Sequence, residues 1–157
     1  MSTMQEKGKM EYKKLLLMAL VSYIAMFLLM YAMVDKPENV ILNINQFYMA
    51  GLMTAPMIMI EMIIMNGMYK NKQLNAVFLA VSAVLLVACF FFIRRQTAVT
   101  DRQFLKSMIP HHAAAVLMVK ETSLNDPEIK KLAEEIISSQ QREIDFMKAK
   151  LKQMDAK

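Results

Sequence analysis

The chain has 157 residues, of which 56% are hydrophobic and 21% charged, with a mean hydropathy of +0.29. An ordinary soluble domain is about 45–50% apolar and about 25% charged, so this balance excludes a disordered chain and a collagen-like repeat. A single cysteine excludes an intrachain disulfide scaffold, and the net charge of +5 is modest beside 18 methionines and no tryptophan.

The apolar excess is concentrated in three stretches. Leu15 to Val34 is a run of 20 residues without a charge. Phe47 to Met65 is apolar apart from Thr54, Pro56 and Glu61, and Leu74 to Ile93 is a second uncharged run of 20. A helix needs about 20 apolar residues to cross a hydrocarbon core of about 30 Å. Three membrane spans are therefore expected, at about 15–34, 47–69 and 74–93, within a membrane domain of residues 1–96. Tyr31, Tyr48 and Tyr69 stand near span ends, where amphipathic rings prefer the interface. Asp35-Lys36-Pro37-Glu38-Asn39 and Asn66-Gly67 read as the connecting turns. The first apolar stretch exceeds a signal-peptide core and no small-x-small site follows, so it reads as an uncleaved anchor.

The loop charges set an orientation. With the N-terminus inside, Lys7, Lys9, Lys13, Lys14, Lys70 and Lys72 face the cytoplasm, against Lys36, Arg94, Arg95, Arg102 and Lys106 on the other side. This bias, led by the first helix, points to a cytoplasmic N-terminus and an extracytoplasmic tail.

The spans hold two methionine stripes at helical spacing. One is Met49, Met53, Met57, Met65 and Met68, interrupted by Glu61; the other is Met18, Met26, Met30 and Met33. Apolar filler explains them more economically than a soft-metal path, because methionine is soluble in lipid and fills irregular gaps. Glu61 is the exception. An ionisable residue within a span costs about 2.5–3.5 kcal/mol on insertion scales and marks a possible intramembrane site. Gly51 and Ala55 form a small-xxx-small pair suited to close helix contact.

From residue 97 to 157 the chain is charged, lacks glycine and carries helical periodicity. Asn125 or Asp126 can cap a new helix, with Pro127 in its first turn. The first helix carries Phe104, Leu105, Met108, His111, Ala115 and Met118 at steps of three and four. The second carries Ile129, Leu132, Ile136, Gln140, Ile144, Met147, Leu151 and Met154. The expected fold is all-α: three transmembrane helices, then an antiparallel helical hairpin. Two helices bury little surface, so the hairpin is expected to form a homo-oligomer or to pack on the spans.

The only two histidines lie together in Met108-Ile109-Pro110-His111-His112, with Met118 further along. For a turn centred near Asn125 and Asp126, facing residue numbers sum to about 251 at equal rise. That sets His111 level with Gln140, Met108 with Glu143 and Phe104 with Met147. Thioether sulfur favours Cu(I) and its analogue Ag(I), and imidazole serves copper and zinc alike. Adjacent histidines point about 100° apart, so both reaching one ion is a demanding geometry.

The strings Phe104-Leu105, Met108-Ile109-Pro110-His111-His112, Ala115-Val116 and Met118, followed by Ile136-Ile137, Gln140, Glu143-Ile144, Met147 and Leu151, resemble the domain of unknown function 305 family over roughly residues 98–154. The resemblance implies a ferritin-like bundle, here as a half-bundle, and extracytoplasmic bacterial proteins, some of which bind copper or silver. Carried over by position, the metal ligands would be Met108, His111, His112, Met118 and Met147; the facing arithmetic adds Gln140 and Glu143 as supporting residues. Lys150 stands where the family often has an aromatic, and the single helical pair departs from members that carry two. On this reading the spans lie outside the matched region.

The functional expectation is a bacterial inner-membrane protein that binds Cu(I) or Ag(I) for sequestration or handover, with lipid and the metal ion as partners. The alternative is a structural membrane protein whose hairpin mediates dimerisation or partner binding without metal. A small transporter using Glu61 and the methionine stripe is a third class. The mixed charges of the hairpin make a poor nucleic-acid footprint. No nucleophile motif, phosphate loop or Glu-x-x-His spacing appears, so an enzyme is the least expected class.

Overall fold

The computed structural model describes residues 2–156, with side chains from residue 10 onward. Lys7 and Lys9, which contribute to the orientation bias, therefore have side chains outside the described residues. Every regular element among the described residues is helical: α1 Ser2–Leu29, α2 Ile44–Ile64, α3 Lys72–Arg95, α4 Asp101–Glu121 and α5 Pro127–Asp155, with 3-10 turns at Met30–Met33 and Pro37–Asn39. Met10–Met33, Ile44–Ile64 and Lys72–Arg95 are each long and apolar enough to cross a membrane.

The helix ends follow from local chemistry. Asn71 caps α3 by accepting from the amides of Gln73 and Leu74. Thr100 caps α4, accepting from the Gln103 amide. Asp126 caps α5, accepting from the amides of Glu128 and Ile129, and Pro127 occupies the first turn, where its missing N–H costs nothing. Of the two cap candidates in the sequence, Asp126 is the one used. α3 closes on Gln96 in the left-handed region, φ 49°, with its amide turned back to Phe92 and Ile93. Pro56 and Pro110 sit inside α2 and α4 without ending either helix.

The chain divides into two compact units. One comprises the residues up to Leu29 together with Phe47–Thr97; the other comprises Met30–Gln46 together with the residues from Ala98 on. Composition alone draws a boundary near residue 96. Packing adds the first interhelical connection to the hairpin unit, where Val34 and Ile41 lie against the hairpin core and Tyr31 donates to the Ile41 carbonyl at 2.8 Å.

Within the first unit the helices meet at small residues. Ala50, Gly51, Thr54 and Ala55 of α2 are all buried, as the small-residue spacing predicts. A Cβ on Gly51 would lie 2.8 Å from Cys89 Sγ of α3. At one end Tyr12, Leu15, Met62 and Tyr69 form an apolar cluster. Its polar rim is a clasp: Tyr12 Oη donates to Asn75 Oδ1 at 2.6 Å, and Asn75 Nδ2 donates to the Tyr69 carbonyl at 2.7 Å. The outward faces stay apolar. Leu16, Leu17, Leu20 and Ile24 of α1, Ile60 and Ile63 of α2, and Val77, Val81 and Val84 of α3 are all exposed. Water disfavours so continuous an apolar surface and lipid does not.

The second unit is built on the hairpin. Leu105, Ile109, Ala113 and Val116 of α4 interlock with Ile144, Met147 and Leu151 of α5, and Ile109, Ala113, Val116 and Ile144 are fully buried. The α5 face agrees with the sequence stripe at Ile144, Met147 and Leu151, while Ile129 and Leu132 at its start are exposed. The α4 face is turned by one residue. Phe104, His111 and Met118 of the expected stripe face outward, and Ile109, Ala113 and Val116 take the inward positions. From Ile109 to Val119 only the histidines interrupt an apolar run, so two adjacent faces satisfy the same periodicity. Packing selects the one with compact side chains, which lets the helices approach closely.

Candidate metal centre

His112 of α4 is the better placed histidine. Its side chain is 12% exposed, and its Nδ1 is buried without a hydrogen-bond partner, 3.6 Å from Glu143 Oε2 of α5. The facing arithmetic is thereby corrected by one turn. The level pair is His112 with Glu143, numbers summing to 255, not His111 with Gln140 or Met108 with Glu143. Side chains lean toward the N-terminus of their own helix, so contacting residues in an antiparallel pair sum higher than level backbone positions.

That register brings in two thioethers. Met108 precedes His112 by four residues and Met147 follows Glu143 by four, so each shares a strip with its neighbour. On antiparallel helices the two steps run in the same direction, and Met108 and Met147 both belong to the hairpin core, Met147 buried at 5% exposure. Gln140, one turn from Glu143 on the other side, has a buried Oε1 that also lacks a hydrogen-bond partner.

The remaining sequence candidates lie apart. His111 is exposed and its ring centroid is 6.1 Å from that of His112, with the planes at 62°. Met118 is 56% exposed, about 9 Å further along α4 from His112, beside Ile129 and Leu132. Glu61 lies in the last turn of α2, where its Oε1 accepts from Tyr69 Oη at 3.4 Å. Met49, Met53, Met65 and Met68 are exposed, whereas Met62, outside that stripe, is the methionine buried between helices.

The electrostatics of His112 suit a ligand. Burial holds its pKa below the ordinary 6.5; the Glu143 carboxylate opposes that shift and His111 adds to it. A neutral imidazole keeps a nitrogen lone pair available, and a metal ligand must be deprotonated. Among the described residues no three His, Cys, Asp or Glu side chains converge, which is unlike a structural zinc or dinuclear carboxylate site. What the hairpin offers at His112 is one imidazole facing one carboxylate, with the thioethers of Met108 and Met147 one helical turn along the same strips, and thioether sulfur favours soft monovalent ions. The thioethers were legible in the sequence; the choice between the two histidines was not, because it depends on which α4 face packs inward.

Comparison with known proteins supplies the family. The family model described as "Domain of unknown function (DUF305)" matches residues 43–151. The match starts before α2, so the second and third apolar helices lie inside it, and the narrower extent of residues 98–154 read from the motif is corrected. The chain is also 34% identical over 141 residues to an uncharacterised protein, L153, of Acanthamoeba polyphaga mimivirus, covering 88% of this chain and 91% of that one. No solved structure matches. The chain belongs to the domain of unknown function 305 family.

Proposed function

We propose that this family member is a membrane-anchored protein whose hairpin captures Cu(I) or Ag(I) for sequestration or handover. His112 is the central ligand, with Met108, Met147 and Glu143 beside it and His111 at the solvent side as the entry ligand. The observation that carries this reading is the buried, unpartnered Nδ1 of His112 opposed by a carboxylate, with one thioether a helical turn along each helix. The ion is cargo, and the hairpin supplies a low-pKa imidazole and soft donors without performing a reaction. The setting proposed is a bacterial inner membrane with a cytoplasmic N-terminus. Glu61, a helix-end carboxylate that accepts from Tyr69, is not among the proposed ligands.

The test is titration of the full chain in detergent micelles with Ag(I) or Cu(I) against a chromophoric competitor. His112→Ala is expected to weaken binding at least about tenfold, and His111→Ala by less, because losing a ligand or its support typically costs 10–100-fold. Unchanged affinity in the double His111→Ala, His112→Ala variant would rule the site out.

A further inference from the structure

The outer flank of α5 carries a second periodic pattern, distinct from the face packed on α4. Leu132, Glu135, Ser139, Arg142, Phe146, Ala149 and Gln153 recur at alternating steps of three and four. This seam lies about 140° around the helix from the core face. Six of the seven residues are exposed and Ser139 is partly so. Leu132 is 55% and Phe146 67% exposed, a large apolar area for a charged helix to leave in water. Among the described residues neither Glu135 nor Arg142 has an ion-pair partner within the chain; Arg142 Nη1 reaches only the Ser138 hydroxyl, at 2.5 Å.

The pattern is self-complementary when reversed. An antiparallel copy centred on Ser139 pairs residues whose numbers sum to 277 or 278. Leu132 then meets Phe146 of the second copy and Glu135 meets Arg142, each pair occurring twice by symmetry, and Ser139 meets Ser139 once, on the axis. The small serines stand where the helices cross, which permits close approach. Apolar contacts close both ends, and opposite charges flank the centre. The shape agrees as well. Around Leu132 there is an open apolar depression of about 190 Å³, lined also by Met118, Leu124, Ile129 and Ile136, a receptacle of the right character for the exposed Phe146 ring of the other copy.

We propose that a second copy of this chain docks along this seam, α5 against α5 in antiparallel register, with Ser139 on the two-fold axis. The charged layers fix the register, since any slip by one turn sets charge against apolar side chains. The seam shares no residue with the His112–Glu143 pair, so it stands whether or not the hairpin binds metal.

Cysteine cross-linking of the full chain in lipid nanodiscs tests it, in a Cys89→Ala background that removes the native thiol. Ser139→Cys is expected to give a disulfide-linked dimer on mild oxidation with diamide, and Glu134→Cys, on another face of α5, to give none. Equal cross-linking at both positions would overturn the proposal. Glu135→Arg and Arg142→Glu, each added to Ser139→Cys, should reduce the dimer at least about tenfold, because each sets like charges together twice. Combining them should restore it. Glu135 and Arg142 are seven positions apart on one helix, too far to pair within a chain, so rescue reports contact between copies. Failure of the combined variant to dimerise with helicity intact would overturn the seam.

Discussion

At the scale of single residues, the contrast between His111 and His112 is one of solvation. They are neighbours in sequence, yet one faces water and the other faces a carboxylate across the hairpin. Because burial lowers the His112 pKa from 6.5, the unfolded chain binds a proton there more readily than the folded chain. Stability must then rise with pH wherever the unfolded state holds that extra proton. The metal-free hairpin is expected to keep full stability from this group above pH 6.5, and to lose it as pH falls through 6.5 toward the lowered folded value. Denaturant unfolding of the full chain at a series of pH values, compared with His112→Gln, measures this. A His112→Gln variant with the same slope below pH 6.5 would assign the loss to other groups. The sequence carried the residue types of this site but not their pairing. Helical spacing left two apolar α4 faces equivalent, and a turn of register is decided by side-chain lean and core volume, neither of which is visible in a string of letters.

At the scale of elements, the helices themselves were written plainly. The apolar runs exceed a bilayer's thickness, Asp126-Pro127 marks one helix start, and Gly51 with Ala55 marks a close contact. The partner at that contact was not legible. Cys89 reads as one small hydrophobe among many in an apolar run, and only packing shows its sulfur standing where a Gly51 side chain would go. A prediction follows from that distance. Alanine is the better helix former by about 0.8–1 kcal/mol, but in Gly51→Ala its Cβ would overlap the buried Cys89 Sγ, and overpacking typically costs about 1–3 kcal/mol. Gly51→Ala alone is therefore expected to destabilise the first unit. Added to Cys89→Ala, the same substitution should become neutral or stabilising. Thermal unfolding in detergent of the two single variants and the double variant gives the coupling, and additive effects would show that α2 and α3 are not in contact there.

At the scale of the whole chain, the second unit gathers two segments that a pair of crossings between them would return to the same side of a membrane. If α1, α2 and α3 each span, the connection after α1 and the tail after α3 emerge together. Those are the segments that pack as the second unit, with Val34 and Ile41 on the hairpin core. The start of α1 and the connection between α2 and α3 would share the opposite side, and there Tyr12 is bonded to Asn71 and Asn75. Lys13, Lys14, Lys70 and Lys72 are exposed at that end, the charge bias on which the proposed cytoplasmic placement rests. Single cysteines in a Cys89→Ala background, probed with a membrane-impermeant maleimide in intact cells, read this out. Lys36→Cys and Lys152→Cys, both at exposed positions, are expected to label from outside. Asn66→Cys, also exposed, should label only after the membrane is opened. The reverse pattern would keep three crossings and invert the orientation. Labelling of Lys36→Cys and Lys152→Cys from opposite sides would mean that α2 and α3 do not both cross, and the membrane reading of the fold would fail with it.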